Sequence, residues 1–267
     1  VKGVLVIMQI RVHIVCAIIL LFMCINYTAL AGEKILIAAA SDLSFAMNEI
    51  CAAFERENPY VDVEVAYGSS GNFFMQIKQG APYDLFFSAD GYYPALLEQE
   101  GFAVKNSSQK YAIGMIVLWT PKKLSLDSNR GLDIVLDSRI KKLAIANPRH
   151  APYGCAAEES LRYYGLWDKV HGKLVFGENV SQAAQFAQAG AANAAIIALS
   201  IALSPDLKKM GNYWIIPTES YKKLDQVYTV LPRGEHKSDV KTFLRFLDGE
   251  KSKRIFSNYG FILPQSK

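Results

Sequence analysis

One repeated unit narrows the possible folds more than any other feature: a short apolar run, a polar turn, then apolar residues at helical spacing. Residues 35–40, Ile-Leu-Ile-Ala-Ala-Ala, read as a buried strand. After Ser41-Asp42, the positions Leu43, Ala46, Met47, Ile50 and Phe54 fall on one helix face. Residues 61–67 alternate as a strand does, and Gly68-Ser69-Ser70-Gly71-Asn72 turns the chain. Phe73, Phe74 and Ile77 then mark a helix that runs to Gly80, and residues 84–87 form a third strand. The unit recurs further on. Strands are predicted from Tyr111 to Trp119 and at 143–146, 174–176 and 194–199. Helices follow at Ala157, Leu161 and Tyr164 and at Val180, Ala183, Ala184 and Ala187. Two more close the chain, through Val240, Phe243 and Leu247 and through Ile255, Phe256 and Tyr259.

Strands that alternate with helices give an α/β architecture with largely parallel sheets. Two β-rich segments, 111–119 and 227–232, are placed to carry the chain between two halves. The expectation is a two-lobed molecule, each lobe a mostly parallel sheet flanked by helices, joined by two crossover segments. Lobe 1 would comprise 32–112 and 231–267, and lobe 2 would comprise 113–230.

The N-terminus addresses compartment. Lys2 and Arg11 precede an apolar run from Ile14 to Ile25, and Ala29-x-Ala31 offers a small-x-small cleavage site. This order reads as a secretory signal over residues 1–31, which implies export. An uncleaved anchor fits less well, because the run falls short of the roughly 20 apolar residues a spanning helix needs. Lipid attachment at Cys24 also fits less well, because the bulky Met23 precedes it. Without residues 1–31, the 267-residue chain retains 267 − 31 = 236, with 29 − 2 = 27 basic and 25 acidic residues. A net charge of 27 − 25 = +2 points to no nucleic-acid partner. Cys51 and Cys155 remain, on predicted helices of different lobes. A bridge between them would resist opening and closing, so two free thiols are expected.

Ligands of open α/β sheets bind beyond the carboxyl ends of the strands. Four strand-to-helix junctions lie there: Ser41-Asp42, Ser69-Ser70-Gly71, Ala151 to Gly154, and Asn179 to Ser181. Each presents free N–H groups and the positive end of a helix dipole, a combination that binds anions. Lys and Arg are absent from three of them, and Arg149 and His150 only flank the third. Neutral donors alone suit a tetrahedral oxyanion without a proton, such as sulfate, molybdate or tungstate. Phosphate would need an acceptor, which Asp42 offers. The preferred reading of Asp42 is instead a solvent-facing helix cap, with its N–H toward the anion, because a second negative charge would repel.

At these residues the chain resembles the periplasmic molybdate-binding proteins of ABC-type transporters, over nearly its whole mature length. The marks are Ala38-Ala39-Ala40-Ser41, Gly68-Ser69-Ser70-Gly71, Gly101-Phe102-Ala103, Tyr111-Ala112-Ile113-Gly114, and Asn147-Pro148 with Ala151-Pro152-Tyr153-Gly154. The eleven residues from Gly80 to Asp90, Gly-Ala-Pro-Tyr-Asp-Leu-Phe-Phe-Ser-Ala-Asp, are the most specific. The resemblance implies the periplasmic-binding-protein architecture, molybdate or tungstate as ligand, no cofactor, periplasmic location, and a membrane permease as partner of a monomer. It also implies that Ser41 and Ser70 donate hydroxyl and backbone N–H, and that Tyr153 and Val180 donate backbone N–H with incidental side chains. Some members add a Tyr donor where Ala198 stands here, so Asp42's position becomes the candidate fifth contact. Two other readings stay open. One is a receptor for sulfate or phosphate. The other is an exported serine hydrolase with His150 as base for Ser70, although Gly68-Ser69-Ser70-Gly71 is not the Gly-x-Ser-x-Gly elbow.

Overall fold

The computed structural model describes residues 34–126 and 128–264. The signal segment expected at 1–31, with Cys24, lies outside the described residues. Strand β1 (Lys34–Ala40) leads through a 3-10 turn (Ser41–Leu43) into helix α1 (Ser44–Glu57). Then come β2 (Asp62–Gly68), α2 (Ser70–Lys78), β3 (Leu85–Ser88), α3 (Tyr92–Gln99) and β4 (Gln109–Gly114). After β5 (Ile116–Pro121) and β6 (Leu143–Ala146) follow α4 (Pro152–Tyr163), α5 (Trp167–Val170), β7 (Leu174–Gly177), α6 (Val180–Gln188) and β8 (Ala194–Ala198). The chain continues as α7 (Leu199–Ala202), α8 (Pro205–Met210), β9 (Gly211–Ile215) and β10 (Leu224–Val230), and ends in α9 (Ser238–Leu247) and α10 (Glu250–Asn258).

These strands build two sheets of the same plan. The first runs β2-β1-β3-β10-β4 and the second β7-β6-β8-β5-β9. In each, one strand runs against its neighbours, β10 in the first and β5 in the second. The other pairs are parallel. Parallel strands are covered on both faces, which is why β1 and β6 are apolar almost throughout. On one face of the first sheet, Met47, Ile50 and Phe54 of α1 pack with Val240, Phe243 and Phe256 of α9 and α10. On the other face, Phe73, Phe74 and Ile77 of α2 pack with Leu97 of α3. The second sheet has its own core, centred on Trp119, Ile145, Leu161 and Ile197. Among the described residues no helix is long and apolar enough to cross a membrane.

Three expectations change. The apolar run 111–119 is two strands in different sheets, and the chain crosses at Met115. The return occurs between β9 and β10, within 216–223, and not near 231, because β10 pairs wholly with β3 and β4. Ser70, expected in a turn, is the first residue of α2, capped by the Ser69 side chain. Cys51 is buried, Cys155 is exposed, and both are free thiols.

Candidate functional site

The carboxyl ends of β1, β2, β6 and β7 all point to one small cavity between the sheets. Its lining includes Ser41, Asp42, Ser70, Tyr153 and Val180, and its empty volume is about 180 Å³, part of it open to solvent. All five predicted site residues therefore meet. Ser69, Ala89, Pro152 and Asn179 also line it, and none of the lining residues is cationic.

Counting the first-turn donors shows what each helix leaves for a ligand, since these N–H groups have no intrahelical acceptor. In α2, Gly71 N–H donates to His150 O at 2.9 Å and Asn72 N–H to Ser69 Oγ at 3.3 Å, leaving Ser70 N–H. In α4, Pro152 has no N–H and Gly154 N–H donates to Ala151 O, leaving Tyr153 N–H. In α6, Ser181 N–H donates to Ser41 Oγ at 3.3 Å and Gln182 N–H to Asn179 Oδ1 at 3.0 Å, leaving Val180 N–H. Each helix thus keeps one first-turn donor, and each donor belongs to a residue that lines the cavity.

The two serine hydroxyls are oriented the same way. Ser70 Oγ accepts from Ala89 N–H at 3.0 Å, and Ser41 Oγ accepts from Ser181 N–H. A hydroxyl that accepts through one lone pair still has its proton to donate. Both serines are buried, at 0% and 3% exposure.

Asp42 departs from expectation. It is not a solvent-facing cap, for it is fully buried and makes no side-chain cap. Its Oδ2 accepts from Tyr153 OH at 3.0 Å, while Oδ1 has no hydrogen-bond partner among the described residues. Burial pushes this carboxyl up to about 7, against the opposing pull of the Tyr153 bond and of its own backbone N–H. The Tyr153 side chain is therefore not incidental: it also accepts from Gln226 Nε2 at 3.4 Å. A Cβ built on Gly114 would run into the same hydroxyl, so the bridge requires glycine beside the crossing at Met115.

Further bonds close the lobes around the cavity, and the sequence did not single them out. Ser181 Oγ donates to Ser41 O at 2.9 Å and Ser200 Oγ to Asp42 O at 2.7 Å. Asn72 Nδ2 donates to Glu178 Oε2 at 3.3 Å. His150 Nδ1 meets Ser69 Oγ at 2.9 Å, not Ser70, and that oxygen also caps α2. A Cβ on Gly71 would sit 2.6 Å from His150 O, which explains the glycine. Ala198 ends β8 and does not line the cavity.

Known proteins are similar to this chain in sequence and in fold. The molybdate-binding protein ModA of Rhodobacter capsulatus is 35% identical over 234 residues, 88% of this chain and 90% of the relative. ModA of Azotobacter vinelandii is 32% identical over 233 residues, 87% and 91% of the two chains. The solved periplasmic molybdate-binding protein of Azotobacter vinelandii superposes with a TM-score of 0.80 at 30% identity, covering 86% of this chain and 100% of that one. The sequence model of the bacterial extracellular solute-binding proteins matches residues 35–262. Family model and full-length relatives agree, and the chain belongs to the bacterial extracellular solute-binding proteins.

Proposed function

We propose that this protein captures molybdate or tungstate in the periplasm, after export, and delivers it as a monomer to the permease of an ABC transporter. The observation that carries this reading is the convergence of neutral donors from both lobes on one cavity without a cation. Ser41 and Ser70 offer hydroxyls, and Ser70, Tyr153 and Val180 offer the N–H groups that remain free at three helix ends. Such donors hold a dianion through dipoles and hydrogen bonds. Relatives at 32–35% identity are molybdate-binding proteins, which supports molybdate as the anion. The ligand touches both lobes, so it favours the closed arrangement and shifts the population toward it.

A calorimetric titration with molybdate, tungstate, sulfate and phosphate tests this. Saturable one-to-one binding of molybdate and tungstate, with sulfate and phosphate at least about 100-fold weaker (roughly 3 kcal/mol), is expected. Sulfate or phosphate as the tightest ligand would sink it. One observation favours hydrogen phosphate as a second reading: the buried, unpaired Oδ1 of Asp42 can accept a ligand's proton.

A further inference from the structure

The cavity carries one feature that a cage of neutral donors does not explain. Asp42 lines it, is fully buried, and leaves Oδ1 without a partner among the described residues. A buried oxygen without a partner is costly, and an anion in the cavity is the partner at hand. Yet an ionised carboxylate and an oxyanion repel, and in a buried site two like charges do not both stay ionised. Cations cannot relieve the pair, because the cavity lining holds none.

The surroundings of Asp42 are neutral on every side. Tyr153 of α4 donates to Oδ2, and Tyr111 of β4 is the other titratable group that faces it. Gln226 of β10 and Ser200 of α7 are neutral neighbours of this network. The elements packed against its turn, namely α1, β2, α6 and α7, bring no charged group to the carboxyl.

Resting on the oxyanion reading above, we propose that Asp42 binds one proton when a fully deprotonated oxyanion enters, and that its Oδ1–H then donates to the anion as a further ligand contact. The proton comes from bulk water and forms an O–H bond on Oδ1, and no bond of the oxyanion breaks. Repulsion thereby becomes a charge-assisted hydrogen bond. Tyr153 OH continues to donate to Oδ2, so the acid keeps one orientation. Hydrogen phosphate differs in that it arrives with its own proton, which would sit between it and Asp42 without any uptake from solvent. Asp42 thus links the protonation state of the ligand to the proton count of binding.

The sign follows from burial. The carboxyl is already raised, to about 7, and the charge of a bound dianion raises it further. The acid form gains as pH falls through that region, so affinity for molybdate is strongest on the acid side and is lost as pH rises.

Calorimetry of the intact protein with molybdate at pH 8, in buffers of different ionisation enthalpy, counts the protons. Close to one proton taken up per site is expected for the wild type. From pH 7.5 to 9 its Kd should rise about tenfold per unit, as one linked proton requires. Asp42→Asn, whose amide donates without titrating, should bind with no uptake and a flat profile. If the variant fails to fold, the wild-type proton count decides alone. Molybdate bound with no proton uptake overturns the proton step and leaves the oxyanion reading standing. Failure of both molybdate and tungstate to bind overturns that reading, and this inference with it.

Discussion

The two lobes reach the same cavity with different chemistry. Lobe 1 adds side chains to its free N–H at Ser70: the hydroxyls of Ser41 and Ser70 and the carboxyl of Asp42. Lobe 2 presents backbone, the N–H groups of Tyr153 and Val180, and turns its side chains to other tasks. Val180 is apolar and 3% exposed, and the Tyr153 hydroxyl is spent on Asp42 and Gln226. Both sheets have one plan, yet only one lobe marks its contacts with chemically distinctive residues. A hydrogen-bond donor to an anion need not be a side chain, so residue identity and residue role separate in lobe 2.

The sharpest way to break this comparison is to remove a backbone donor alone. Val180→Pro does so, because proline tolerates the first position of a helix and lacks the N–H. Asn179, just before it, is extended at φ −150° and ψ 175°, as a residue preceding proline must be. Hydrogen bonds to charged groups contribute about 1.5–3 kcal/mol, and the ring stands where the hydrogen was, so no water replaces it. Molybdate affinity should fall about 100-fold at the upper part of that range (1.4 kcal/mol per decade), while Val180→Ala stays within about twofold. Calorimetry on both variants reads this. An alanine that loses as much as the proline would give the side chain the role assigned here to the backbone.

Lobe 1 answers differently. Ser70→Ala deletes a hydroxyl donor but leaves space for a water, so a loss of about tenfold in molybdate affinity is expected, near 1.4 kcal/mol. Stability should fall as well. Ala89 N–H donates to Ser70 Oγ in a buried setting, and exchanging that bond for one to water costs about 0.5–1.5 kcal/mol. Thermal melts without ligand check the second effect and calorimetry the first. Full affinity in Ser70→Ala would remove the hydroxyl from the site and leave lobe 1 as dependent on backbone as lobe 2.

The same asymmetry governs what was legible beforehand. Strand-to-helix alternation predicts both sheets, because apolar periodicity is local and each unit carries its own turn. Which sheet a strand joins is not local. The segment 227–232 reads as β-rich anywhere, and only the pairing of Leu224–Val230 with β3 and β4 assigns it to the first sheet. The break at Met115 hides inside an apolar run, and β9, with Asn212, Tyr213 and Ile215 exposed, lacks the buried pattern of the inner strands. At the site, Ser41 and Ser70 stand out as hydroxyls in polar turns. Val180 and Tyr153 carry no chemical mark, because every residue except proline owns an N–H; the strand-to-helix pattern marks their junctions, and resemblance alone singles out these residues within them. For Val180 the donor count needs the structure, because it requires knowing that Ser41 Oγ crosses from the opposite lobe to take Ser181 N–H; for Tyr153 the count is local, set by Pro152 and by Gly154 N–H donating to Ala151 O. The solvent-facing reading of Asp42 fails for a related reason: its carboxylate is bonded by Tyr153, 111 residues away in sequence.

The smallest effect concerns the lobe 2 side chain that donates to the Asp42 carboxyl. Tyr153→Phe keeps the N–H offered to the ligand and removes the bridge from Asp42 to Gln226. The phenyl ring fits the space, so packing is retained. Of the two cross-lobe bonds lost, the one to Asp42 at 3.0 Å is the stronger, and at about 1 kcal/mol it corresponds to roughly a fivefold change in affinity. Because the bond joins the two lobes, it contributes once they have closed, after the anion has met either half-site. The change should therefore appear in dissociation, about fivefold faster, with association within about twofold. Stopped-flow displacement of bound molybdate separates the two rates. Slower association with unchanged dissociation would mean that the Tyr153 hydroxyl shapes the open form, and that the side chains of lobe 2 are as much a part of recognition as those of lobe 1.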